Sequence, residues 1–264
     1  MFFVSCFKIL GSCSGTEPMP HRHHTSIVLT VNGRNYFFDA GENCSHTAHT
    51  QGIDLTLTRA VFISHAHYDH IGGLMGLFWT MRKICNRYKT NLADGEVKLF
   101  LPETKVWDHI YEVLKSTEGG FKHQFGILID TPKLGTFYKD ENIELTAFES
   151  HHLPLSEDGC IRSFSYRIVI DGKTVVFSGD IKDMNDLSDA VGNGCDLLFC
   201  ETGHHGVQTV CNFAENHNVK QLVLIHHGRE ILEEQPSVKY AVENCKIPVK
   251  LAHDGMEIEL RGGE

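Results

Sequence analysis

The segment Ser64-His65-Ala66-His67-Tyr68-Asp69-His70-Ile71-Gly72-Gly73 places three imidazoles and one carboxylate within six residues. Imidazole nitrogen and carboxylate oxygen are the donors that suit zinc and related divalent ions, and such ions polarise esters and acidify water. A strand that ends in a tight loop lets His65 and His67 point to one side while Asp69 and His70 turn toward a second point nearby. The two glycines then allow close backbone approach where a helix begins. A solvated polar loop is the bland alternative, and four ligand-type side chains at this spacing argue against it.

The remaining histidines divide by context. His21, His23 and His24 lie in a Gly-, Ser- and Pro-rich loop and are candidates for the mouth of a site. His46 and His49 are one helical turn apart and read as surface residues. Tyr68 is a candidate for substrate contact, and Trp79 and Trp107 read as packing residues on helices.

Apolar runs at 2–10, 60–64, 97–101, 143–148, 163–170, 174–178, 197–200, 221–225, 249–252 and 256–260 read as strands. Segments 27–31 and 36–38 flank Asn32-Gly33, a strong hairpin signal. Helical spacing predicts helices over 72–89, after Pro102, over 207–216 and over 237–244. Strands thus alternate with helices, with neither a low-complexity linker nor a short-period repeat between them. The expected architecture is one α/β domain over 1–264 with sheets inside and helices outside.

Composition sets the outer bounds. The chain has 264 residues, 41% hydrophobic and 22% charged, which is ordinary for a globular protein. With 24 Lys+Arg against 34 Asp+Glu, the formal net charge is −10, which argues against a dedicated nucleic-acid module. No apolar run approaches the length of a membrane span. The nine cysteines are odd in number and irregularly spaced, without a Cys-x-x-Cys pair. They read as free thiols, and the cytoplasm is the default compartment.

The segment from His65 to His70 resembles the His-x-His-x-Asp-His signature of the metallo-β-lactamase superfamily. The family's later histidine, aspartate and final histidine have counterparts in order at His151/His152, Asp180 and His226. The resemblance implies a four-layer αββα sandwich binding two divalent ions, with zinc expected and manganese or iron as alternatives. It assigns one ion to His65, His67 and a histidine of the 151/152 pair. The other falls to Asp69, His70 and His226, with Asp180 bridging both and a bridging hydroxide as nucleophile. Leu153-Pro154 favours His152 over His151, and His227 is the rival of His226. Asp69 also belongs to the catalytic set.

Ile9-Leu10-Gly11-Ser12 and Tyr36-Phe37-Phe38-Asp39-Ala40-Gly41-Glu42 resemble the opening of the ribonuclease Z group and its smaller phosphodiesterase relatives. There Asp39 would hold the ligand loop, with a turn or cap carboxylate as the alternative. Two departures point away from precursor tRNA. The stretch between His152 and Asp180 is filled by strands and a turn, leaving no room for the group's long basic arm. Phe199-Cys200-Glu201-Thr202 also carries Cys200 where the family has a catalytic histidine. His204, whose spacing to His226 resembles that of a second family histidine, is the candidate proton donor, with Glu201 orienting it; a plain polar loop is the alternative. The expected activity is a phosphodiesterase on a small-molecule or short phosphodiester substrate. A lactone or thioester hydrolase and a non-catalytic metal-binding domain are the alternatives. No stable nucleic-acid partner and no membrane are expected, and a homodimer is left open.

Overall fold

The computed structural model describes residues 5–260, which fall into two compact units. One comprises the residues up to Gly11, His21–Thr131 and those from Asp254 onward; the other comprises Ser12–Pro20 and Pro132–His253.

The first unit is built on a seven-stranded sheet of β1 (Ser5–Gly11), β2 (Ser26–Val31), β3 (Arg34–Phe38), β4 (Thr58–Phe62), β5 (Glu96–Phe100), β6 (Gly126–Asp130) and β14 (Glu257–Leu260). Its order is β14-β1-β2-β3-β4-β5-β6. The expected hairpin is present: Asn32 (φ 47°) and Gly33 (φ 70°) take the left-handed geometry of a tight turn, pairing Val31 with Arg34. From β3 to β6 the strands are parallel. Phe38, Phe62 and Phe100 pair in register and stack with ring centroids 5.5 and 5.3 Å apart. Burying each such ring contributes about 1.5–3 kcal/mol. On the helix side, Leu74, Leu77, Phe78, Met81 and Cys85 of the helix Leu74–Tyr88 share a core with Val61, Leu99 and Trp107. Trp79 corrects the expectation of a packing residue: it is 37% exposed, opposite that stripe, under the Lys83 ammonium.

The second unit carries β7 (Gly135–Lys139), β8 (Glu144–Glu149), β9 (Phe164–Ile170), β10 (Lys173–Phe177), β11 (Leu197–Thr202), β12 (Leu222–His227) and β13 (Val249–Leu251). They are ordered β13-β12-β11-β10-β9-β8-β7. Strands β10 to β13 run parallel, and β11 is buried throughout. Helices Val207–Asn216 and Pro236–Asn244 cover it through Val207, Val210, Cys211, Ala214, Val238 and Ala241. Most expected strands and helices stand within one or two residues of these bounds. Phe2–Val4, at the start of the first expected strand, lie outside the described residues. Sequence reading missed the helix Cys44–Thr50 and strands β6 and β7.

Candidate metal centre

In each unit most of the donors stand at or just beyond the carboxyl ends of parallel strands, where open α/β sheets present ligand sites. In the first unit β4 delivers Ser64 and His65, and the short helix Tyr68–Ile71 carries Asp69 and His70. His65 and His70 are fully buried, Asp69 nearly so, and His67 is exposed. The rings of His67 and His70 lie 4.5 and 4.1 Å from that of His65, and His70 Nε2 is 3.4 Å from Asp69 Oδ2.

Asp39, just past β3, holds this loop. Its Oδ2 lies 2.6 Å from His70 Nδ1 and accepts the Ser64 hydroxyl at 2.8 Å, while Oδ1 accepts the Ser64 N–H at 2.7 Å. The carboxylate thereby fixes the His70 tautomer with Nδ1 protonated, leaving Nε2 as the donor atom. Its left-handed backbone (φ 56°) turns the chain toward the loop, at a cost of about 1 kcal/mol. Gly73 completes the fit. A β-carbon there would lie 2.1 Å from the Gly41 carbonyl oxygen, so only glycine lets the loop approach this closely.

In the second unit Asp180 follows β10, and Glu201 and His226 are the penultimate residues of β11 and β12. The β11–β12 register shifts so that Glu201 pairs with Ile225 and Thr202 with His227. His226 is the residue passed over, and this bulge with φ 48° turns its ring out of the ladder. Gly203 provides the space, since a β-carbon there would sit 2.5 Å from His226 Nδ1. Around Asp180 stand His226 Nε2 at 3.3 Å, His152 Nε2 at 3.7 Å and His204 Nδ1 at 3.7 Å. Asp180 and His226 set a carboxylate beside an imidazole, the mixed donor chemistry that suits a zinc-type ion, and an imidazole nitrogen of His204 lies within 4.8 Å of both.

The two histidine doublets separate cleanly. His151 is half-exposed, with Nδ1 2.9 Å from Asp186 Oδ1, whereas the ring of His152 faces Asp180. His227 is buried, its Nε2 2.8 Å from the Ala252 carbonyl oxygen and its Nδ1 3.2 Å from Thr202 Oγ1. Those contacts make it a tie between loop and strand.

Glu201 stands beneath His204, accepting its backbone N–H at 2.9 Å and facing ring Nδ1 at 3.1 Å. Burial resists ionisation of Glu201, but the His204 and His226 imidazoles outweigh it and draw the carboxyl down to about 2, against the opposing charge of Asp180. The same contact raises the His204 pKa, with burial pulling the other way. Cys200 is fully buried, and burial pushes its thiol well above the ordinary value. A thiol held there is no proton carrier at neutral pH.

His23 is tied to Asp254 at 2.9 Å and to Asn43 at 2.8 Å, and the ring of His24 meets that of exposed Tyr68 edge-on. His46 and His49 are exposed, as expected. Sequence reading missed Ser64, Ser178 and Asp186. Ser178 Oγ accepts the Glu201 N–H at 3.0 Å. Position next to His65 and two residues before Asp180 was the available signal for the two serines.

The family described as anti-Pycsar protein Apyc1 matches residues 6–241. Ribonuclease Z of Picrophilus torridus is 26% identical over 85% of this chain and 87% of its own length. Ribonuclease Z of Treponema pallidum is 46% identical over 26% of this chain, and the chain spans 22% of that relative's length. Among solved structures, the short form of human tRNase Z has a TM-score of 0.69 at 21% identity, covering 96% of this chain and 98% of that one. The metallo-β-lactamase fold protein YhfI from Bacillus subtilis reaches 0.71 at 15% identity, with 98% and 100% covered. With two mixed sheets flanked by helices, these likenesses bear out the expected metallo-β-lactamase fold and the resemblance to ribonuclease Z. The match over most of its length means that the chain belongs to the anti-Pycsar protein Apyc1 family.

Proposed function

We infer that the chain is a binuclear metal-dependent phosphodiesterase acting on a small-molecule or short phosphodiester substrate. The observation that carries the reading is the set of imidazoles around Asp180, with Glu201 and Asp39 ordering the donor loops. Ligand assignment follows the superfamily resemblance: His65, His67 and His152 for one ion, Asp69, His70 and His226 for the other, and Asp180 for both. Zinc is the first choice, with manganese and iron as alternatives. When bound, two such ions supply Lewis acidity toward a phosphoryl oxygen and a hydroxide nucleophile from water at neutral pH.

The chain's own residues supply the rest. With two such ions held, the Asp180 carboxylate would offset their mutual repulsion and Asp69 would add a second carboxylate. Glu201 holds Nδ1 of His204 and so leaves Nε2 to deliver a proton to the departing oxygen. Both units act as one catalytic domain in this reading. The cysteine pattern supports a cytoplasmic setting; among the described residues no helix is long and apolar enough to cross a membrane. A homodimer is compatible with the reading and is not required by it.

Relatives named ribonuclease Z and a fold neighbour described as a diphosphatase of the PhnP family favour phosphorus over carbonyl carbon as the centre attacked. The test is turnover of bis-p-nitrophenyl phosphate, a lactone and a thioester by the metal-loaded protein. Preferential phosphodiester cleavage is expected. Preference for the lactone or thioester would move the chain to carbonyl hydrolysis, and no turnover of any would leave a metal-binding domain.

A further inference from the structure

The neighbours His151 and His152 are sent in opposite directions by the backbone. His151 stands at φ 49°, a left-handed conformation that costs a residue with a β-carbon about 1 kcal/mol. Beyond it, His152 turns inward, with Nε2 3.7 Å from Asp180 Oδ2. His151 turns outward, with Nδ1 2.9 Å from Asp186 Oδ1 and Nε2 3.7 Å from Glu149 Oε2.

Asp186 is more than a surface partner. Its Oδ2 accepts the backbone N–H groups of Lys182 at 3.1 Å and Asp183 at 3.2 Å. The Lys182 N–H also reaches the Ser150 carbonyl oxygen at 3.1 Å. One carboxylate therefore fastens the turn that follows Asp180 to the turn that presents His152, and His151 is the side chain it grips.

We propose that His151 and Asp186 form a positioning clasp that sets the spacing between His152 and Asp180 and thereby tunes metal affinity. The clasp rests on the metal-dependent reading above. It holds two donor-bearing turns in register, so its loss lets His152 and Asp180 drift apart without removing either donor. The ring of His151 is used through Nδ1, which a shorter amide can imitate. Asparagine offers an N–H in the same place and tolerates the left-handed backbone. Glycine eases the backbone further but offers no donor.

The test is competition between the protein and a chromophoric chelator for zinc, on wild type, His151→Asn and His151→Gly. His151→Gly is expected to bind zinc about tenfold more weakly, the lower end of what such indirect partners contribute. The melting temperature of its metal-free form is expected to stay close to that of wild type, because relief of backbone strain offsets the lost hydrogen bond. His151→Asn is expected to keep wild-type affinity. Unchanged affinity in His151→Gly would overturn the clasp. So would His151→Asn binding as weakly as His151→Gly, since that would mean the imidazole itself is a ligand. A wild type that binds neither zinc, manganese nor iron would overturn the proposed function and the clasp together, a result distinct from either variant's failure.

Discussion

The Asp39 carboxylate lies 2.6 Å from His70 Nδ1, with both side chains fully buried, and joins the end of β3 to the donor loop after β4. Asp39→Asn retains the shape but removes the charge that fixes the His70 tautomer. Metal affinity is expected to fall roughly 10–100-fold, as when the outer partner of a ligating histidine is removed. A metal titration of the variant against wild type checks this.

His204→Ala is expected to retain metal and to slow cleavage of substrates with poor leaving groups by about 10²-fold or more. The loss should shrink for p-nitrophenyl esters, whose leaving oxygen needs no proton. Paired assays on an alkyl and a nitrophenyl phosphodiester read the difference. Equal slowing on both, or metal loss, would give His204 another role.

The donor loop was legible because its chemistry is carried by residue type and spacing alone, as in the stretch from His65 to His70. Central strands such as β11 and β12 were legible because burial on both faces leaves continuous apolar runs. Strands β6 and β7 were not. They form sheet edges: β7 leaves Gly135, Thr136 and Lys139 exposed, and β6 has only the three-residue apolar run Ile127-Leu128-Ile129, with Gly126, Leu128 and Asp130 exposed. The helix Cys44–Thr50 hides for a related reason, since its buried residues are Cys44, Ser45, Thr47 and Ala48. What turns His151 and His152, and His226 and His227, in different directions is a left-handed residue and a strand bulge, features of backbone geometry that side-chain identity does not encode.

Acid stability offers a separate check on the first unit. Hydrogen bonding from Arg59 holds the Asp94 carboxyl below its ordinary range against the cost of burial, with Arg34 adding to the effect. A depressed pKa contributes stability above the unfolded value of about 4, and the contribution is lost as pH falls through the folded value. Asp94→Asn should therefore cost about 1 kcal/mol or less at neutral pH, given partial exposure. Its deficit relative to wild type should shrink and disappear as the pH falls through the depressed folded value. Denaturant melts across that range measure both.

Precursor tRNA is not expected to be a substrate. Between His152 and Asp180 the chain forms a loop, β9 and β10, the strands joined at Asp171-Gly172, and its net charge is −10. Accurate 3′ cleavage of a precursor tRNA at low enzyme concentration would overturn this expectation.

The most direct measurement of the central claim is phosphodiester turnover as zinc or manganese is returned, equivalent by equivalent, to chelator-treated protein. The account predicts no turnover before addition and a rise that is complete at about two equivalents per chain. It also predicts that Asp180→Ala, lacking the shared counter-charge, holds neither ion and stays inactive. A plateau at one equivalent, turnover that chelation leaves intact, or full metal content in Asp180→Ala would contradict it.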